Sequence, residues 1–134
     1  MQVYKKILVT IDCSPVDQAI IQHVTPLAVQ NSAQVCLLHV VHAHTLDQRR
    51  VLRSQAEACL EKHCETLRAQ SVEVNQIIRY GEPDEEIMKE IENGDYDLVT
   101  MATHGHKFFG DLLFGSVSRK LKHKITIPLL LLKP

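Results

Sequence analysis

Lys6-Ile7-Leu8-Val9-Thr10-Ile11-Asp12-Cys13-Ser14-Pro15 is the stretch whose reading decides the fold. A short β-branched and leucine run between a charged start and a turn-prone end predicts a buried strand over Lys6 to Ile11. Ser14 then suits a helix N-cap and Pro15 the first helical position. Ala19, Ile20, His23, Val24, Leu27 and Ala28 recur at helical spacing beyond it, through a kink expected at Pro26, until Asn31-Ser32 stops the pattern.

Working outward, Gln34 to Val41 is apolar on both faces, as a strand covered by helices on each side must be, so the sheet is expected to be parallel. From Thr45 to Gln70 one stripe of Leu46, Leu52, Ala56, Cys59, Leu60, His63 and Leu67 predicts a long amphipathic helix. Val72 to Tyr80 alternates, which fits an edge strand. Gly81-Glu82-Pro83-Asp84 breaks the chain. A helix over Glu85 to Glu92 follows, with Glu82, Asp84, Glu85 and Glu86 favouring its N-terminus and Gly94 closing it. Tyr96 to Met101 is a fourth strand, Ala102 to Asp111 a loop, Gly115 to His123 a helix and Ile125 to Leu132 a fifth strand. Such alternation implies an α/β doubly wound sheet with right-handed crossovers and helices on both faces.

At 134 residues and 45% hydrophobic content the chain is expected to form one domain, 1–134, with an ample core. No apolar run approaches the roughly 20 residues of a membrane-spanning helix. No signal peptide is recognisable at the N-terminus, so a cytoplasmic location is expected. Cys13, Cys36, Cys59 and Cys64 show no C-x-x-C spacing, which argues for reduced thiols and against a zinc site built on cysteines. A net charge of -1 and only three Tyr and three Phe offer neither the field nor the stacking platform that nucleic acid requires.

In open parallel sheets ligands bind beyond the carboxyl ends of strands, where strand order reverses. The loops after the first and fourth strands hold Asp12-Cys13-Ser14 and the segment from Thr103 to Ser118. Of five glycines in the chain, Gly105, Gly110 and Gly115 fall in that second segment. Glycine lets backbone N–H groups approach an anion, and Gly115-Ser116 opening a helix adds a positive dipole end, although an ordinary turn with a serine cap reads equally well. There is no G-x-x-x-x-G-K-[ST] and no G-x-G-x-x-G after the first strand, which excludes Walker-type and dinucleotide sites. The acidic pair of a receiver domain and the hydroxyl-rich phosphate loop of a flavodoxin are also missing.

What remains resembles the universal stress protein family over essentially the whole chain. The resemblance is carried by Tyr4 to Ser14, by Val35 to Val41, and by Tyr96 to Gly105 running into Leu112 to Ser118. ATP-binding members of that family carry G-x-x-G-x(9)-G-[ST]. Gly105, the residues His106 to Phe114, and Gly115-Ser116 match it, with Ala102 in place of the first glycine. The methyl is compatible with a ligand there provided Ala102 keeps a negative φ.

The resemblance implies a five-stranded sheet of order 3-2-1-4-5, Rossmann-like and similar to the adenine nucleotide α-hydrolases. It implies ATP, ADP or AMP as ligand, with Mg or Mn as an accompanying ion, in a cytosolic regulatory or stress-response module. Thr10, Ile11 and Asp12 would lie at the nucleotide, Asp12 on its ribose or adenine side and near the metal. Val40 would meet the adenine through its backbone, and Met101 and Ala102 would flank base and sugar. Gly105, His106, Gly115, Ser116, Val117 and Ser118 would surround the phosphates. A homodimer through the last strand, Ile127 to Leu132, is implied as well, and an apolar edge strand does need covering.

No P-loop lysine or water-positioning residue is evident, so weak ATPase activity is the most expected. Two alternatives stand beside this reading: a homodimeric interaction scaffold that binds no nucleotide, and a slow metal-dependent hydrolase using Asp12. His42, His44, His104 and His106 all follow strands two and four and form a conceivable metal set, with solvated loop histidines as the plainer reading. His39 reads as a hydrogen-bonded core residue. A helix N-terminus would lower the pKa of Cys13, yet no neighbouring base marks it as a nucleophile, and packing is its expected role.

Overall fold

The computed structural model describes residues 3–102, 117, 120, 121 and 123–133. Its elements are β1 (Lys6–Thr10), α1 (Asp17–Asn31), β2 (Gln34–Val41), α2 (Leu46–Ala69), β3 (Val74–Tyr80), α3 (Pro83–Asn93), β4 (Leu98–Ala102) and β5 (Leu129–Leu132). Val117, Lys120, Leu121, His123 and Lys124 are helical. The five strands form one sheet in the order β3-β2-β1-β4-β5, every pairing parallel, as expected.

Alternate side chains of the central strands feed two separate cores. Ile7 and Val9 of β1 and Val35 and Leu37 of β2 pack with Ile20, Ile21, Val24 and Ala28 of α1 and Leu60, Cys64 and Leu67 of α2. Leu8, Cys36 and Leu38 point the other way, onto Ile87 and Met88 of α3 and onto Val117 and Leu121. Covering both faces in this way is what a parallel sheet requires.

Side chains pin the start of β1 from both sides. Asn31 Oδ1 accepts from the N–H of Val3 at 2.8 Å and of Tyr4 at 3.1 Å. Asp97 accepts from Lys5 and Lys6 at 2.8 and 3.1 Å. Thr100, fully within the sheet, donates through Oγ1 to Leu8 O at 3.4 Å.

Several boundaries differ from expectation. Helix α1 begins at Asp17 with Val16 as a cap that makes no side-chain hydrogen bond, so Ser14 is not the N-cap. The polar group that orders this entry is the Asp17 carboxylate, which reaches back to the preceding turn. Helix α2 is capped reciprocally: Thr45 accepts from Gln48 N at 3.1 Å, and His44 N donates to Gln48 Oε1 at 2.9 Å.

Leu46 and Leu52 do not join the buried stripe of α2; residues 46–55 are all exposed, and burial begins at Ala56 and continues through Leu60, Cys64 and Leu67. The first turns of α2 meet only the rim of the sheet, where the Arg49 guanidinium lies 3.7 Å from the centroid of the Tyr80 ring, so polar side chains and not leucines make the contact there. Val72 donates to Leu67 O at 3.1 Å and so completes the end of α2, leaving β3 to start at Val74. Only Leu129–Leu132 of the expected fifth strand pairs with β4, since Pro128 has no N–H to donate, although its carbonyl accepts from Val99 at 3.0 Å.

The core depends most on residues shared by β1 and β2. Leu37→Ala, at a position with 0% exposure, is expected to cost about 2–5 kcal/mol, read as a lowered urea midpoint with an unchanged slope.

Candidate functional site

Strand order reverses at β1: the chain leaves it toward β2 and β3 on one side and returns to β4 and β5 on the other. The crevice of a doubly wound sheet opens at such a point, beyond the carboxyl ends of β1 and β4. Thr10 closes β1, and its hydroxyl donates across to Thr100 O of β4 at 3.4 Å. Ile11 is buried, its N–H donating to Leu38 O at 2.8 Å and its carbonyl accepting from His39 Nδ1 at 2.7 Å. That bond gives His39 the structural role expected of it.

The structure therefore brings Thr10, Ile11 and Asp12 together with the end of β4, Met101 and Ala102. Met101 turns its side chain to the α3 face and Ala102 to the α1 and α2 face. Ala102 is a strand residue, and the only non-glycine residues of positive φ among those described are Cys13, Ser32 and Ser71. The first-glycine position thus takes a methyl without backbone strain. Val40 is half-buried near the end of β2 and packs toward the α3 face, where Val117 is also a core residue. Gly105, His106, Gly115, Ser116 and Ser118 lie outside the described residues, as does His104. Of the four histidines considered together, His42 and His44 do meet, ring to ring, with centroids 5.1 Å apart.

The turn after β1 is built around Asp17. Its Oδ1 accepts from Asp12 N at 2.9 Å and its Oδ2 from Ser14 N at 3.1 Å. Cys13, between those two donors, takes φ 59, a left-handed conformation uncommon for a residue with a Cβ. Among the described residues Ser14 Oγ is buried with no hydrogen-bond partner, so a hydroxyl faces this turn with its donor unused.

Burial at 1% exposure pushes the Asp17 carboxyl up from 3.8 to about 6, against the Asp12 N–H that stabilises its charge. Cys59 of α2 stands opposite. Its hydrogen bond with Cys13, and then the His63 imidazole beside it, bring the Cys59 thiol down to about 5 despite burial. The Cys13 thiol moves the other way: it shares the proton with Cys59, is desolvated, and faces the negative charge of Cys59, Asp17 and Asp12. A lowered pKa at Cys13, expected from the helix end nearby, is thus reversed by its neighbours.

These contacts were not found from sequence, because they join a turn to a helix more than forty residues away. One signal was available: Cys59 and His63 stand four apart, a spacing that puts both on one helix face. An open groove lined by Arg53, Glu57, Glu61, Gln76 and Tyr80 lies between α2 and β3, with no residue of β1 or β4 in its wall.

Known proteins share this architecture. A sequence model of the Universal stress protein family matches residues 3–133. A universal stress protein of Methanocaldococcus jannaschii is 27% identical over 154 residues, covering 97% of this chain and 95% of that protein. Its solved structure superimposes with a TM-score of 0.84 at 29% identity, over 98% of this chain and 96% of that one. A universal stress protein in complex with cAMP aligns at TM-score 0.76 and 14% identity, covering 97% of each chain. One from Archaeoglobus fulgidus in complex with dAMP aligns at 0.71 and 16%, covering 98% of each. The last two likenesses are likenesses of fold.

The Asp17 displacement predicts a pH dependence. The fold favours the protonated carboxyl, so the native state holds more protons than the unfolded chain between pH 3.8 and about 6. Stability from this group is full below that window and lost as pH rises through it, by about 3 kcal/mol. The stability difference between Asp17→Asn and the parent chain, measured by urea unfolding with chelator present, should move in favour of the variant from pH 4 to pH 7 by that order.

Proposed function

The chain belongs to the universal stress protein family, and from that premise we propose that it binds an adenine nucleotide, ATP in the first instance, at the crevice between β1 and β4. The observation that carries this reading is the reversal of strand order at β1, with Asp12 directly beyond that strand. The ligand-bearing neighbours support an adenine nucleotide: relatives of the same fold hold cAMP and dAMP, and an Arabidopsis thaliana member holds AMP. Gly105 and Gly115-Ser116, at the spacing of the ATP-binding members, supply the backbone N–H groups and hydroxyl that phosphates require. The negative φ of Ala102 removes the objection to its methyl group.

Within this reading Asp12 takes the ribose or adenine side, Thr10 and Ile11 hold the floor, and Val40, Met101 and Ala102 bound the base and sugar. Gly105, His106, Gly115, Ser116, Val117 and Ser118 take the phosphates. The carboxylate oxygens of Asp12 suit a hard ion such as Mg2+ or Mn2+, which would neutralise phosphate charge. Turnover is expected to be weak, since the sequence carries no P-loop lysine. The role that fits is a regulatory or stress-response module. No helix among the described residues is long and apolar enough to cross a membrane.

A homodimer through the last strand belongs to the same proposal. β5 pairs with β4 on one side, and Leu131 is 41% exposed on an all-leucine run. A second copy would cover that edge.

Two measurements test the proposal. ATP, ADP and AMP at millimolar levels should raise Tm, by about 2.7 kcal/mol of added stability at one hundred times Kd, whereas a pyrimidine nucleotide should not. Gly115→Leu should abolish the shift with the circular dichroism intact; no shift with any adenine nucleotide on the parent chain would sink the reading and leave the scaffold alternative. Leu131→Lys should convert a dimer to a monomer in sedimentation velocity, and a parent chain that sediments as a monomer would remove the dimer.

A further inference from the structure

Cys13 of the turn after β1, Asp17 at the start of α1, and Cys59 and His63 of α2 converge beside the proposed nucleotide crevice. Cys13 Sγ, Cys59 Sγ and a carboxylate oxygen of Asp17 all lie within 4.8 Å of one another. His63 brings Nε2 to 4.0 Å from Asp17 Oδ2, with 13% of its side chain exposed. All four cysteines are free thiols. On α2 the spacing of four sets a sulfur and an imidazole side by side on the face turned to Cys13 and Asp17.

We propose that Cys13, Asp17, Cys59 and His63 form a binding site for a zinc ion that ties the β1–α1 turn to α2. Two sulfurs, one imidazole and one carboxylate are a donor set for borderline-soft zinc, and a poor one for the hard Mg2+ that travels with nucleotides. Tetrahedral zinc, with bonds of about 2.3 Å to sulfur and about 2.0 Å to nitrogen or oxygen, holds its donors about 3.3–3.8 Å apart. Cys13, Asp17 and Cys59 therefore need to draw together by about 1 Å to close on an ion, and His63, 4.0 Å from Asp17 Oδ2, completes the set by turning its ring toward them.

The surroundings already orient the donors. The N–H groups of Asp12 and Ser14 fix both Asp17 oxygens, as outer partners of a metal ligand do. Cys13 is exposed and opens a route for the ion, while Asp17 forms the buried floor. The other two cysteines have different occupations. Cys36 packs on the opposite face of the sheet, and Cys64 donates to Gln76 Oε1 at 3.7 Å. This site does not depend on nucleotide binding; it needs only the turn and α2.

The test uses the full chain, stripped with a chelator and kept reduced by a phosphine. Titration with Co2+ should bring up a sulfur-to-cobalt charge-transfer band that saturates at one ion per chain and is displaced by Zn2+. Cys13→Ser and Cys59→Ser should each weaken zinc binding by more than about a hundredfold, beyond the loss seen when an outer partner alone is removed, while Cys36→Ser should leave it unchanged. Cys13→Ser alters an exposed turn, so its circular dichroism should stay native even if Cys59→Ser does not fold. Absence of the band in the natively folded parent chain, or a band that survives undiminished in Cys13→Ser, would overturn the site.

Discussion

The structure depends on the complete enclosure of β1. Ile7, Leu8 and Val9 have no exposed surface, and a strand so placed has no water to satisfy its backbone, so each side must be laddered to another strand. β2 and β4 provide those ladders. Because both neighbours run parallel to β1, each connection must cross over a face: the chain leaves β1 through α1 to β2 on one side and comes back from β3 through α3 to β4 on the other. The crevice at its carboxyl end is thus a by-product of satisfying hydrogen bonds. Asn31 and Asp97, by accepting the N–H groups just before β1, settle the register at the other end of the same strand.

The strands and their parallel sense were legible in the sequence for the same reason. A strand buried on both faces reads as an apolar run, and Val35 to Leu38 does. The order of the strands came from family resemblance, since no local pattern says that β4 lies beside β1. Element ends were read less well wherever a backbone or side-chain hydrogen bond decides them: at Asp17, which replaces a serine cap, at Val72, which finishes α2, and at Pro128, which cannot donate.

At the candidate site, Asp12 and the end of β4 could be placed from topology. Asp17 could not, because a carboxylate four residues into a loop-helix junction looks like ordinary first-turn charge. Its 1% exposure is tertiary, and its hold on Asp12 and Ser14 depends on the left-handed turn at Cys13. The sulfur chemistry of Cys13 and Cys59 is likewise tertiary: each cysteine alone reads as a small core residue. Their opposite proton affinities follow first from the hydrogen bond between them, with the Asp17 carboxylate and the His63 imidazole adding to the split.

The division of the interior into two cores has a bearing on how the protein can change. The cluster under α1 and α2 and the cluster under α3 share no side chain; only the backbone of the sheet lies between them. Substitutions on opposite faces therefore have no common packing partner and should combine additively. The face that carries Asp17, Cys59 and His63 is free to diversify its chemistry while the opposite face, with Leu8, Cys36 and Val117, maintains the sheet. The sheet acts as an insulating partition, and one half of the molecule can be remodelled without the other half registering it.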